Sequence, residues 1–413
     1  MYSKIIVIGG GSSGLMAAIT AKDMGAETII LEGNDRVGKK LLCTGNGRCN
    51  LTNKDCIPKR FHSENSGFFI KTLNSFTSEN TVDFFASLGL PVVTLEEGRV
   101  YPMSLQASSV VDILRYAAKD RCIPIYTGEK VKSIYRLGDT FKITTGTQNA
   151  YECNRIILCC GGKSCPNTGS DGSGYELAKM LGHSITGTIP AIVQLKLDFN
   201  HLKALSGVKF DGAAEIWVNS NKVQKESGEI LFTDYGISGP PVLQLSRCAS
   251  YYISKGQNVS LKIDMMPSFS ENHIKDFFEN HWGMLNYRSI ADSFIGIINK
   301  KIIPVLLKES GITDIHKPCS DISYNEKISL FKMLKNWNFK VSGTNSFKDS
   351  QVTAGGINTK EVNAETLESE ILPGVYFCGE ILDVDGDCGG FNLQWAWSSG
   401  YTAGKSAAKS VLN

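Results

Sequence analysis

The sequence predicts a mixed α/β protein in which one domain is assembled from both ends of the chain. Three observations carry this. Residues 4–31 read as strand, glycine turn, helix and strand. Beyond Pro190 the texture changes to short β segments, VQLKLDF, AAEIWV and VSLKIDM, separated by Gly, Asn and Ser, which suits a small barrel or sandwich. Near the C-terminus GVYFCGE again reads as a buried strand, and the glycine-rich GDCGGFNLQWAWSSGYTAGKSAAK follows it.

The elements follow in order. The first strand covers 4–8, the turn 9–14, a helix runs to about Met24, and a second strand covers 28–31. SGFFIKTLNSF and SENTVDFFASLGL carry helical patterns between Ser66 and Leu88, with Ser78 as an N-cap and Gly89 at the C-terminal end. Another helix covers 108–120. Strands and turns alternate over 125–157 and close on the buried run IILCC and the pair Gly161-Gly162. From Ser270 to about Leu334 the pattern is helical, FIGIINKKIIPVLL being its most apolar part, and Pro304 is expected to kink or end a helix. The resulting division is 1–190 with 345–413 as the nucleotide-binding domain, 191–269 with 335–344 as a β-rich substrate domain, and 270–334 as a helical insertion.

A chain of 413 residues is too long for one small core, so two or three domains are expected. With 43 basic and 41 acidic residues the formal charge is +2, which supplies no field for nucleic acid or an anionic membrane and leaves a small molecule as the expected partner. The start MYSKIIVIGG lacks the plan of a secretory signal, and no apolar run approaches the ~20 residues that span a bilayer. A cytoplasmic protein is expected. The twelve cysteines are scattered, several inside apolar strand patterns (Cys159, Cys160, Cys378), which reads as reduced core residues. With no C-x-x-C pair and six dispersed histidines, no metal is expected.

The chemistry begins at Gly9-x-Gly11-x-x-Gly14, directly after a strand and opening a helix, with Glu32 lying 18 residues beyond Gly14 at the end of the next strand. Gly9 permits the tight turn, Gly11 lets the backbone approach a pyrophosphate, and Gly14 lets the helix pack on the strand. The helix start offers free N–H groups and positive dipole charge. Glu32 is placed to accept hydrogen bonds from an adenosine ribose. The motif fits FAD and NAD alike, while an acid at this position disfavours NADP. A strand ending at Gly379-Glu380 offers a carboxylate for ribitol hydroxyls. Asp383, at the same acidic strand end, is a second candidate cofactor ligand, with a solvated acidic turn as the competing reading for both carboxylates, and Gly161 is a further candidate contact.

Four longer segments resemble the signatures of one bacterial family: GKKLLCTGNGRCNLTN (38–53), TGSDGSGY (168–175), LFTDYGISGP (231–240) and GVYFCGEILDVDGDCGGFNLQWAWSSG (374–400). The match is similar from end to end to NAD(P)/FAD-dependent oxidoreductases that include aminoacetone-oxidase-like enzymes and the flavoprotein of bile-acid dehydroxylation operons. The resemblance implies a Rossmann-like FAD-binding domain of the glutathione-reductase type, interrupted by a β-rich barrel-like domain and a small helical one. It also implies that Ser13, Glu32, Lys39, Lys40, Val131, Glu380, Asn392 and Leu393 lie along the FAD. The helix after Gly390 would aim the N–H groups of Asn392 and Leu393 at the N1/C2 carbonyl edge of the flavin, where donors stabilise the negative charge of the reduced ring. Arg48 and Asn50, in GNGRCN, position the flavin or its loop, with a surface ion pair as the competing reading for Arg48.

Cys43 and Cys49 lie near where pyridine-nucleotide disulfide reductases carry a redox-active Cys-x4-Cys. Here five residues separate them and the loop differs, so a buried thiol or loop residue is the favoured reading. LFTDYGISGP reads either as a hairpin or as a catalytic loop that, in the resembled family, faces the flavin. On the second reading Tyr235 is the candidate proton donor and Asp234 a neighbouring acid–base candidate. TGSDGSG suits a phosphate or a helix-capping turn. No second complete G-x-G-x-x-G is visible, so NADH or NADPH is expected as a visiting co-substrate. The function so indicated is hydride transfer from NAD(P)H through flavin N5 to an activated alkene or carbonyl. An amine or aminoketone oxidase is the runner-up, and a flavin sensor or RNA-associated flavoprotein the third reading.

Overall fold

A computed structural model describes residues 2–412. The chain divides into two units, Met1–Ile189 with Ser350–Asn413, and Pro190–Asp349.

The first unit is built on a seven-stranded sheet. Five strands run parallel, in spatial order Ile125–Thr127, Thr28–Glu32, Tyr2–Ile8, Ala150–Leu158 and Val375–Phe377. The strand Ala150–Leu158 is shared. Its first half pairs antiparallel with Thr140–Thr145 in a meander with Val131–Leu137, and its second half, Ile156 to Leu158, pairs with Val375 to Phe377. Segments more than 200 residues apart thus lie side by side, and the strands Thr28–Glu32 and Val375–Phe377 are wholly buried, as expected for parallel strands covered on both faces.

Helix Ser12–Asp23 packs against the C-terminal helix Phe391–Leu412, and small residues set how close they come. A side chain added at Gly400 would meet the carbonyl oxygen of Ser13 at 2.5 Å, and one at Gly404 that of Ala17 at 2.4 Å. The two backbones therefore touch where glycine removes the side chain.

Two local expectations need correction. Helix Ser78–Ser87 is capped by Thr77, one residue earlier than expected, in a reciprocal box with Asn80. Pro304 neither kinks nor ends a helix but sits in the first turn of Ile302–Glu309, where a missing N–H costs nothing.

The second unit holds a closed barrel of six antiparallel strands, in order Leu195–Asp198, Gly236–Ser238, Asn221–Phe232, Lys209–Val218, Val259–Asp264 and Trp337–Thr344. Burial alternates along Val259–Asp264 and through most of Trp337–Thr344, the two-residue period of a half-buried strand. Asn219 and Ser220, both at positive φ, close the long hairpin, as a primed two-residue turn requires. Helices Glu271–Met284, Ile302–Glu309 and Tyr324–Asn336 add Phe278, Trp282, Leu306 and Leu330 to the same hydrophobic core as the barrel.

Candidate functional site

In the first unit the C-terminal ends of four adjacent strands each carry a sequence-predicted feature. Ile8 leads into Gly9–Gly14, the second strand ends in Glu32, Leu158 leads to Gly161 and Gly162, and Phe377 leads to Gly379 and Glu380. Ligands of open parallel sheets bind outside this edge.

The three fingerprint glycines are needed for different reasons. Gly9 has φ +109°, and a side chain there would meet the carbonyl oxygen of Cys159 at 2.6 Å. One at Gly14 would lie 1.9 Å from the carbonyl oxygen of Gly9. Gly11, in contrast, has ordinary extended backbone (φ −79°, ψ −169°) and nothing within 4 Å of the place a side chain would occupy. Neither backbone nor packing demands glycine at Gly11, which leaves open space before a helix start that lacks any side-chain cap. That space fits a pyrophosphate, and the fingerprint is compatible with a bound dinucleotide.

Glu32 is buried and already engaged. Its Oε2 accepts from the Gly10 N–H at 2.7 Å, and its Oε1 from the Asn34 N–H and Nδ2 at 2.7 and 2.8 Å. The Glu129 N–H bonds the Glu32 carbonyl at 2.9 Å, which brings the start of the strand Val131–Leu137 alongside. The lysine pair is split. Lys39 reaches Asp35 at 2.6 Å on the Glu32 side, whereas Lys40 pairs with Glu380 at 2.6 Å across 340 residues.

Glu380 also accepts from the Thr353 N–H at 2.9 Å. Its neighbour Gly379, at φ +80°, is fixed by the C-terminal helix: its N–H donates to Ser399 Oγ at 2.9 Å and its carbonyl accepts from Trp395 Nε1 at 3.0 Å. A side chain on Gly379 would meet Ser13 Oγ at 2.4 Å. Asp383 is buried and accepts from the Glu64 N–H at 3.0 Å. The Asn392 side chain is occupied with Gly386 and Asp387, which leaves its backbone N–H and that of Leu393 in the first turn of the helix.

The family model described as "HI0933-like protein Rossmann domain" matches residues 3–406. The chain belongs to the HI0933-like family. It is an FAD-dependent oxidoreductase, as the motif resemblance implied. A 3-dehydro-bile acid delta(4,6)-reductase from Clostridium scindens is 39% identical over 98% of this chain and 99% of its own length. A ribosomal RNA dihydrouridine synthase from Haemophilus influenzae is 27% identical over 99% of both chains, and one from Escherichia coli is 27% identical over 98% of both.

The loop 38–53 turns back on itself through positive φ at Gly45, Asn46, Gly47 and Cys49. Arg48 forms no ion pair among the described residues; its guanidinium lies 5.3 Å from the centre of the Tyr101 ring, a cation–π contact. Cys49 is buried, and desolvation pushes its thiol up to about 12, whereas Cys43 is exposed. All twelve cysteines are free.

In TGSDGSGY, Asp171 Oδ1 accepts from the Ser173 N–H at 3.0 Å in the turn that leads into helix Ser173–Met180, and Asp171 Oδ2 pairs with Lys130 at 2.6 Å. The buried hydroxyls of Ser170 and Tyr175 have no hydrogen-bond partner among the described residues. LFTDYGISGP forms a hairpin: Asp234 and Tyr235 are its two exposed turn residues, and Tyr235 Oη accepts from Asn345 Nδ2 at 3.2 Å. No group of three or more His, Cys, Asp or Glu among the described residues is arranged to hold a metal. No described helix is long and apolar enough to cross a membrane.

Sequence reasoning missed Asn34, Thr353, Trp395 and Ser399, which hold Glu32, Glu380 and Gly379 in place. The glycine pair after Thr353 in VTAGG was the available signal for one of them; the others act through partners too distant in sequence to suggest themselves.

Proposed function

We propose that this chain reduces a carbon–carbon double bond conjugated to a carbonyl in a small organic acceptor, with NADH or NADPH as the visiting hydride donor. The observation that carries this reading is the 39% identity, over nearly the full length of both chains, to a relative named as a delta(4,6)-reductase. The more distant relatives, named as dihydrouridine synthases, also denote the addition of two hydrogens to an unsaturated ring. The shared chemistry is therefore saturation of an activated alkene, and the acceptor is what differs. A small molecule is favoured here because the reductase is the nearer of the two by sequence and the formal charge of +2 gives no general attraction for RNA.

FAD, when bound, supplies two-electron transfer at N5. The chain's own residues bind and orient it. Gly11, Ser13 and the helix start at Ser12 face the pyrophosphate, and Glu32 with Lys39 and the Val131 segment holds the adenosine end. Gly161, Glu380 and Lys40 flank the ribitol. Glu380 carries its negative charge beside Lys40, so a ribitol hydroxyl can donate to a carboxylate already fixed by an ion pair and a backbone N–H. The N–H groups of Asn392 and Leu393 face the flavin. Asp383, whose Oδ2 also accepts from the Glu64 N–H, lies at the same strand end as Glu380 and is a further candidate ligand of the cofactor. Tyr235 and Asp234 are the candidate proton donors on the hairpin.

Anaerobic reduction of the purified yellow protein tests the reading. NADH or NADPH should bleach the flavin within the turnover time, and a 3-oxo compound with a conjugated 4,5 double bond should restore the colour. Reduction by an amine instead, followed by peroxide formation in air, would replace it with an oxidase. Reoxidation by an unmodified ribosomal RNA fragment and not by any enone would move the acceptor to RNA. A Tyr235→Phe variant with unchanged turnover would remove Tyr235 as the proton donor.

A further inference from the structure

The start of the C-terminal helix offers only donors. Its first helical bond runs from the Gln394 N–H to the Gly390 carbonyl at 3.0 Å, so the N–H groups before Gln394 have no partner within the helix. The pyrimidine edge of a flavin is not made of acceptors alone. N1 and the C2 and C4 carbonyls accept, but N3–H between those carbonyls donates, and a helix start has nothing to receive it.

The missing acceptor lies beside that helix start. Asn50 is 8% exposed, and its Oδ1 is buried without a hydrogen-bond partner among the described residues. Buried side-chain oxygens in this condition are uncommon and call for a partner. A side chain placed on Gly390 would come within 2.9 Å of Asn50 Oδ1 and 2.6 Å of the Thr52 carbonyl, so this oxygen sits against the residue that opens the helix.

Its position is fixed from both sides. The Leu51 carbonyl accepts from Trp397 Nε1 at 2.9 Å, and Thr52 Oγ1 donates to Gln394 Oε1 at 2.6 Å, which ties residues 51 and 52 to the first two turns of the helix. On the other side the left-handed run folds back until a side chain on Gly45 would meet the Asn50 nitrogen at 3.0 Å. With the backbone around residue 50 held in this way, its buried and unpaired side-chain oxygen is placed for a donor that arrives with a ligand.

We infer that Asn50 Oδ1 accepts a hydrogen bond from the flavin N3–H and, with the N–H groups of Asn392 and Leu393, recognises the pyrimidine edge. This rests on the FAD reading and adds to it an orientation: the flavin is held by an acceptor from residue 50 and donors from residues 392 and 393. Asn50 is thereby a selectivity residue, since a ring that offers no N–H at this point leaves its oxygen unpaired.

Binding of FAD and of 3-methyl-FAD, in which a methyl group replaces the N3 proton, to the apoprotein tests this by flavin fluorescence. The wild-type chain should bind 3-methyl-FAD about tenfold to a hundredfold more weakly than FAD. Asn50→Ala should lose a similar factor for FAD and distinguish the two flavins by less than about threefold, the non-additivity expected when two changes remove one interaction. Asn50→Asp, which retains an acceptor, should keep the discrimination. Equal wild-type affinity for the two flavins, or full discrimination surviving in Asn50→Ala, overturns the inference while leaving the FAD reading intact. Failure of the wild-type chain to bind either flavin overturns both. Should Asn50→Ala not fold, as judged by circular dichroism, the wild-type comparison still decides.

Discussion

Replacing Gly14 by alanine pits two effects against each other. Gly14 lies inside helix Ser12–Asp23, where alanine is intrinsically favoured by about 1 kcal/mol, so helix propensity alone makes Gly14→Ala stabilising. Against this, the new methyl group would sit 1.9 Å from the Gly9 carbonyl oxygen and 2.8 Å from Cys159 Sγ. Both the nearest atom and its carbon are backbone, so no rotamer change relieves the contact. The helix would have to retreat by roughly 1 Å to restore ordinary contact, and its neighbouring face is already pinned at Ser13 and Ala17 by backbone contact with Gly400 and Gly404. Overpacking a core costs about 1–3 kcal/mol where side chains can give, and a rigid site belongs at the upper end. The net expectation is a loss of about 2 kcal/mol, or about 4–8 °C in Tm for a unit of this size.

Gly11→Ala is the paired control. Its site is empty and its backbone ordinary, so apoprotein stability should change by less than about 1 kcal/mol, the cost of alanine at a helix cap. FAD affinity should fall about tenfold or more, because the methyl group enters the space assigned to the pyrophosphate. Thermal unfolding of both apoproteins, with fluorescence titration of FAD into each, separates the roles. A Gly14→Ala chain as stable as wild type, or a Gly11→Ala chain with undiminished FAD affinity, would refute the reasoning for that residue.

Four further expectations follow from particular contacts. Glu380→Gln should weaken FAD binding about tenfold while altering apoprotein stability by less than about 1 kcal/mol, since its partner Lys40 is partly exposed; unaltered affinity in a fluorescence titration would take Glu380 out of the site. Gln394→Leu should cost at least about 2 kcal/mol in guanidinium unfolding, because it removes the buried amide oxygen that accepts from both Thr52 and Thr81 and leaves Thr52 Oγ1 only the Cys56 sulfur and Thr81 Oγ1 only the Thr77 carbonyl, and a smaller loss would mean that these remaining partners suffice. Alkylation at pH 8 should mark exposed Cys43 and Cys122 rapidly and spare Cys49, Cys153 and Cys160, whose thiols burial pushes up to about 12; equal labelling of Cys43 and Cys49 would contradict this, and a rise in thiol count after reduction would revive a disulfide. His183 is buried, and desolvation holds its pKa below the ordinary value despite Glu361 nearby, so the unfolded chain takes up the proton first; stability should be present above about pH 6.5 and fall as the pH drops below it, and His183→Gln should flatten the difference in unfolding midpoint between pH 7.5 and 5.5.

What the sequence made legible here is the set of residues that a strand end or a turn demands locally. Gly9, Gly379 and Gly161 sit at positive φ after parallel strands, and each stands directly after a run of apolar residues, so one short window carries both the strand and its stop. The fingerprint, the return of the chain to its first domain and the change of texture at Pro190 are likewise local patterns. What stayed hidden depends on partners that the sheet brings together. Nothing in Lys39-Lys40 tells which lysine reaches a carboxylate 340 residues away, and Gly400 and Gly404 look like helix weaknesses until Ser13 and Ala17 are seen beneath them. Gln394 gives the same lesson from the polar side. Mid-helix in an apolar run it reads as a misplaced amide, yet its two ends bond Thr52, Thr81, Phe76 and Ser398, from three other stretches of chain and its own helix. Parallel strands make such convergence unavoidable, because adjacent strands in the sheet are joined by long crossovers. A ligand site at their common edge therefore draws one short, readable motif from each crossover, while the bonds that hold those motifs in register are long-range and emerge only with the fold.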